Sequence, residues 1–283
     1  MNNIKILADS TCDLSEELIK AHDIGIIPLM ISLGSDNLKD GIEIMPDAIY
    51  EWSDHTGETP KTAAPTLGDA VDFLMPYVEK DMEIIFFGIS EAMSATCQVL
   101  RLAAEQIGYH KLYVVNSKNL STGIGLQVLR AAELALKGFG VEEILEDNRN
   151  INSKVRASFV VDTLTFLHRG GRCSGVAALL ANTLRLKPEI IVRDGKMEVE
   201  KKYRGNSKAA LMKYCKDKEP LLKDADPTRV FITHSGCPKD VVEEISAFLR
   251  SLGIFGEVLE TRAGSVISSH CGPNTLGILY ISR

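Results

Sequence analysis

The chain has 283 residues, with 32 Lys and Arg against 38 Asp and Glu, a net charge of −6 and 45% hydrophobic residues. That is chain enough for one large or two ordinary domains with a real core, and the balance excludes wholesale disorder, collagen-like sequence and a surface that tracks nucleic acid throughout. Six cysteines without a Cys-x-x-Cys pair, and an opening Met1-Asn2-Asn3-Ile4 unlike a signal peptide, predict reduced thiols in the cytoplasm.

Short apolar runs alternate with longer amphipathic ones from the start. Ile4 to Ala8 reads as a strand and Leu14 to Ala21 as a helix. Further strands are predicted at Gly25 to Leu33, Glu83 to Ile89 and Lys111 to Val115, with helices at Leu67 to Glu79, Ser94 to Ile107 and Gly123 to Lys137. This alternation predicts an N-terminal α/β domain over 1–155, a mostly parallel sheet with flanking helices. After a helix at Val141 to Asn152, the run Ala157 to Val161 opens a second α/β domain, 156–283. There, Asp194-Gly195 supplies the positive φ angles of a tight turn between Glu189–Arg193 and Met197–Lys201, an antiparallel hairpin. Strands at Arg229 to Thr233, Phe255 to Thr261 and Leu276 to Ile281, with a helix at Asp240 to Leu252, complete this half. The uncharged stretch Ala263 to Ser282 contains His270, Pro273, Asn274 and several glycines and serines, so it is not expected to span a membrane.

Charge is uneven. Between Arg169 and Lys213 lie eleven Lys and Arg and four Asp and Glu, a local +7, which leaves 21 basic and 34 acidic residues, or −13, elsewhere. The segment reads either as a solvated face or as a docking surface for an acidic or phosphate-bearing partner.

Hydroxyl and glycine residues cluster where strands should end: Asp9-Ser10-Thr11, Ser90 to Thr96, and Asn116-Ser117. Ligands of open parallel sheets bind beyond the carboxyl ends of strands, although each residue also suits a helix cap. Thr66 is such a cap candidate, while Thr62 before it has no local role. Ser94 falls near a helix start, where free N–H groups and the helix dipole favour an anion such as a carboxylate. His168-Arg169-Gly170-Gly171-Arg172 sets two guanidinium groups around a Gly-Gly turn, which makes Arg172 a candidate anion ligand or a salt-bridge partner. His270 sits in a predicted loop, Ser268 to Pro273. No Gly-x-Ser-x-Gly elbow, Walker loop or complete dinucleotide fingerprint occurs, and the His-Cys pairs at 234/237 and 270/271 lack zinc-site spacing.

Taken in order, Asp9-Ser10-Thr11-Cys12-Asp13-Leu14, Thr62 with Pro65, Ser90-x-x-Met93-Ser94-x-Thr96, Arg169-Gly170-Gly171-Arg172, Tyr203-Arg204-Gly205 and Ser269-His270-Cys271-Gly272-Pro273 resemble the DegV family of bacterial fatty-acid-binding proteins. The likeness spans essentially the whole chain. It implies two α/β domains with a fatty-acid site between or beneath them, no catalysis by the chain itself, and no cofactor or metal. The implied partner is a separate ATP-dependent fatty acid kinase that phosphorylates the bound carboxylate to an acyl phosphate. By the same resemblance Thr62 and Ser94 hydrogen-bond the carboxylate, His270 and Arg172 lie by its charge, and Arg204 contacts the kinase. Ala63, Ala95 and Cys271 depart from the family's usual Ser, Gly and Thr beside that site.

The expected chemistry is consistent with this. Each buried CH₂ contributes ~0.8 kcal/mol, so an apolar tunnel supplies affinity and the head group needs few contacts. An ionised carboxylate must still be hydrogen-bonded and charge-balanced. Two other readings stay open: a serine hydrolase of acyl esters using Ser94 and His270, and an anion-sensing regulatory module.

Overall fold

The computed structural model describes residues 3–176 and 186–283. Four parallel strands, ordered β2 (Gly25–Ile27), β1 (Ile4–Asp9), β6 (Glu83–Gly88) and β7 (Leu112–Asn116), form the first sheet. Its central strands are buried on both faces, which is why they read as unbroken apolar runs. Leu7, Ile84 and Phe86 pack under α3 (Leu67–Val78) and α4 (Thr96–Gln106), whereas Ile6, Ala8, Ile85 and Phe87 face α5 (Thr122–Leu136).

Helix α5 is buried along most of its length because it lies between two sheets, touching β1 and β6 on one side and β8 (Val155–Val160) and β14 (Leu276–Ser282) on the other. Close approach here requires a small residue: a Cβ at Gly125 would stand 2.7 Å from Leu14 Cδ2 and 3.0 Å from the Cys12 carbonyl oxygen. The second sheet is mixed and seven-stranded, ordered β13 (Glu257–Arg262), β12 (Ala225–His234), β14, β8, β10 (Leu186–Arg193), β11 (Lys196–Arg204) and β9 (Cys173–Ser174). Helices α8 (Ser207–Leu222) and α9 (Lys239–Ser251) cover its far face around Tyr214, Ile232 and Ile278. The β10–β11 hairpin turns at Asp194 and Gly195, both at positive φ.

Two expectations fail for identifiable reasons. The predicted strand Gly25 to Leu33 breaks at Pro28, which has no N–H for a ladder. Its second half becomes β3 (Met30–Leu33), which pairs with β4 (Asp36–Lys39) and β5 (Lys61–Ala63) in a separate antiparallel sheet. His270 lies not in a loop but in the last turn of a short buried helix, α10 (Ser265–Cys271), bracketed by Gly264 and Gly272. The small sheet and α2 (Pro46–Thr56) pack on that helix through Ile31, Ile44, Ile49 and Val266. Helix α6 (Val141–Asn152) follows α5, and α7 (Thr165–Gly170) carries the Gly-Gly segment. Among the described residues no helix is long and apolar enough to cross a membrane.

Candidate functional site

Thr62, Ser94, Arg172 and His270 line one cavity of about 420 Å³, within the usual range for small-molecule sites. They reach it from four separate elements. Thr62 is in β5, paired across from Ile31, so the small sheet places this residue. Ser94 lies before α4, whose N-cap position is Ala95; its hydroxyl accepts from Thr96 N at 3.4 Å, and the helix start opens beside the cavity. Thr66 does cap α3, accepting from Asp69 N at 3.1 Å.

The His270 ring is held on both edges. Its Nε2 lies 2.8 Å from Thr62 Oγ1. Its Nδ1 is enclosed without a partner among the described residues, against the side of Gly170 where a Cβ would collide with it. A bare N–H without a partner is rarer than an unpaired acceptor, which assigns the proton to Nε2 as donor to Thr62 Oγ1. The Thr62 hydroxyl hydrogen is then free for an acceptor in the cavity. Burial, and secondarily the Arg172 charge, push His270 down to about 4, so the ring is neutral at pH 7. Arg172 donates to the Gly170 carbonyl at 2.6 Å and has no carboxylate within 4 Å among the described residues. Among the described residues it is the cavity's one cationic side chain at neutral pH, and the one acid, Glu91, pairs with Arg101.

Gly170→Ala is therefore expected to keep the fold but turn the imidazole away from Thr62. Calorimetry should show head-group affinity falling roughly three- to tenfold, the worth of a neutral hydrogen bond. NMR titration should show His270 rising from about 4 toward its ordinary 6.5.

Apolar lining residues were not visible in the sequence as site residues: Leu29, Ile89, Leu120, Met197 and Ile267 come from five separate segments and look like ordinary core. A second, very small cavity of about 20 Å³, walled by Phe159, Ala263 and Leu279 among others, shares Leu120, Ile267 and Cys271 with the first. Ala63, Ala95 and Cys271 all line the main cavity.

Other predicted groups lie elsewhere. Asp9 is buried, accepting from Thr11 N and Ile89 N. Ser10 donates to Asp40, Ser90 to the Gly195 carbonyl, and Asn116 accepts from Glu91 N and Lys118 N. These groups tie strand ends together. The Ser94 hydroxyl pairs with Thr96 Oγ1 at 2.9 Å and His270 with Thr62, so no Ser94–His270 hydrogen bond forms, and among the described residues no carboxylate orients the ring, as a hydrolase would need. Among the described residues no group of three or more His, Cys, Asp or Glu side chains is placed to hold a metal ion.

The basic segment is less free than its sum. Lys187, Arg193, Lys201 and Lys208 are paired with carboxylates, and Arg185 lies outside the described residues. Arg204 ends β11, exposed and with no carboxylate within 4 Å among the described residues. It stands seven residues along the strand from the cavity-lining Met197, roughly 23 Å at 3.3 Å per residue.

The DegV family model, described as "Uncharacterised protein, DegV family", matches residues 3–283. A DegV domain-containing protein of Clostridium perfringens is 30% identical over the whole of both chains. Among solved structures, a fatty-acid-binding DegV family protein from Thermus thermophilus is 30% identical with a TM-score of 0.90 over all of both chains. A stearic-acid-binding protein from Eubacterium ventriosum is 25% identical with a TM-score of 0.85, covering 100% of this chain and 98% of that one. With its α/β architecture matched end to end and the family model covering residues 3–283, this chain belongs to the DegV family.

Proposed function

We propose that this chain binds a long-chain fatty acid and presents its carboxylate to a separate ATP-dependent fatty acid kinase, without catalysis of its own. The observation that carries this reading is the convergence of Thr62, Ser94, Arg172 and His270 on a single cavity that is otherwise mainly apolar. The carboxylate would lie between the Thr62 and Ser94 hydroxyls and the Arg172 guanidinium, where charge-assisted hydrogen bonds offset its desolvation. The acyl chain would follow an apolar path within the main cavity, along Leu120 and Ile267, each buried CH₂ adding ~0.8 kcal/mol. Fatty-acid binding by the Thermus and Eubacterium relatives supports the ligand class.

Native mass spectrometry of gently purified or lipid-loaded protein is the direct test. One fatty acid per 31.0 kDa chain is the expected result, and repeated failure to retain or load one overturns the reading. Arg204 lies well away from the cavity, so Arg204→Glu is expected to leave that stoichiometry unchanged while lowering kinase-dependent acyl phosphate formation about tenfold or more, as loss of a desolvated interfacial charge does. Loss of lipid binding in this variant would place Arg204 in the pocket and overturn the division between binding and docking.

A further inference from the structure

β7 is the last strand of the four-stranded sheet, so among the described residues one side of its backbone has no neighbouring strand. The ladder shows which peptide groups face that side. The Lys111 carbonyl accepts from Ile84 N, and Ser117 N donates to the Gly88 carbonyl. Odd-numbered residues therefore address β6, while Leu112, Val114 and Asn116 face outward. The Asn116 carbonyl is already taken by Asn152 Nδ2, at 3.2 Å, from α6 alongside.

The edge is one wall of a groove whose other wall is α6, lined by Leu145, Asn148 and Asn152. Asn148, one helical turn before Asn152, is 6% exposed, yet its side-chain carbonyl has no hydrogen-bond partner among the described residues. Leaving such a group unpaired is costly, so a buried amide in a groove wall points to a donor arriving from outside.

Charge identifies the kind of donor. Among the described residues the groove's charged side chains are Lys118 and Arg149, with no carboxylate in its lining. It shares Lys118 and Asn152 with an adjoining cavity of about 450 Å³ under the β10–β11 hairpin, where Arg156, Arg193 and Lys218 face Asp194 and Glu200. Arg149, Arg193 and Lys218 have acidic partners on their own chain, whereas Lys118 and Arg156 have no carboxylate within 4 Å among the described residues.

We propose that the free edge of β7 receives an extended, acidic segment of a partner protein as a fifth strand. Its main chain would pair with the outward groups of Leu112 and Val114, its donors would reach Asn148, and its carboxylates would meet Lys118 and Arg156. Strand addition of this kind takes affinity from main-chain bonds and selectivity from alternate side chains. This surface is separate from the fatty-acid cavity and does not depend on its occupant.

The test uses the full chain, ¹⁵N-labelled, titrated with a capped heptapeptide of alternating glutamate and valine. The Leu112 and Val114 amides are expected to shift and to exchange more slowly, with half-saturation at or below about 1 mM. Added salt should weaken the effect. Val114→Pro removes an outward N–H that β6 does not use and is expected to abolish binding, with the β6 amides as a check on the fold. Asn148→Leu, which removes a buried side-chain carbonyl with no partner among the described residues and so should leave the fold intact, is expected to weaken binding severalfold. Silence at Leu112 and Val114, or an equal response to a lysine–valine peptide, overturns the proposal. A concentration-dependent doubling of the 31.0 kDa mass that itself protects these amides overturns it in favour of a second copy of the chain.

Discussion

Replacing Arg172 with Ala is expected to weaken binding of a long-chain fatty acid about tenfold at pH 7, measured by calorimetry against a ligand such as stearate. A hydrogen bond to a charged group contributes ~1.5–3 kcal/mol, and the lower end applies because the guanidinium is exposed at the cavity mouth. Among the described residues no other lining group can replace the charge. His270 stays neutral until about pH 4, and Thr62 and Ser94 supply only neutral hydroxyls. Arg172→Lys should recover part of the loss, keeping the charge but not the flat fork that grips both carboxylate oxygens. A fatty alcohol of the same length binds through its tail alone, so its affinity should hardly respond to Arg172→Ala. That contrast separates head-group recognition from damage to the apolar path. Wild-type affinity for the acid in Arg172→Ala would make Arg172 a structural residue that only tethers the Gly170 carbonyl.

The parts of the fold visible in the sequence are those whose signal is local. The runs Ile4 to Ala8 and Glu83 to Ile89 are strands because helices bury both their faces, and Asp194-Gly195 marks the hairpin by backbone geometry alone. The small sheet was not legible because β5 has three residues, too few for a period, and because the run through Pro28 concealed a change of sheet. The second half of α10, Ser268 to Cys271, reads as loop because Ser265-Val266-Ile267-Ser268-Ser269 has little helix propensity; its helicity comes from burial and from anchors far away in sequence. The candidate head-group residues were found through the ordered motifs. Their apolar companions were not, because a cavity wall and a packed core have the same composition, and only the fold brings Leu29, Met197 and Ile267 together.

Those distant anchors give the second large effect. Asp13 accepts from Gly264 N at 2.8 Å and from the Ser121 hydroxyl, and Asp40 accepts from Ser265 N at 2.8 Å and from the Ser10 hydroxyl, so two buried carboxylates hold the start of the helix that carries Ile267, His270 and Cys271. Burial pushes Asp13 up to about 8 and Asp9 up to about 6, and raises Asp40, against 3.8 for an ordinary Asp. The sign of the linkage follows. Between pH 4 and 8 the folded chain keeps protons that the unfolded chain has released, so stability from these groups is greatest near pH 4 and is lost as pH rises through 6 and 8.

Ion-paired carboxylates nearer the surface, such as Asp69 and Asp217, are shifted down and act in the opposite sense, costing stability only below about pH 4. Thermal stability should therefore peak in mild acid. From pH 5.5 to pH 8.5 the melting temperature is expected to fall by at least about 5 °C, given ~2–4 °C per kcal/mol in a chain of this size. Asp13→Asn keeps an acceptor for Gly264 N and supplies a donor to Ser121, but it cannot ionise. It should match the wild type near pH 5.5 and lose less than half as much by pH 8.5, leaving fatty-acid affinity at pH 6 unchanged because the anchor of α10 survives. Parallel curves for the two proteins would mean that Asp13 ionises in the fold at its ordinary pH, with the two donors outweighing burial.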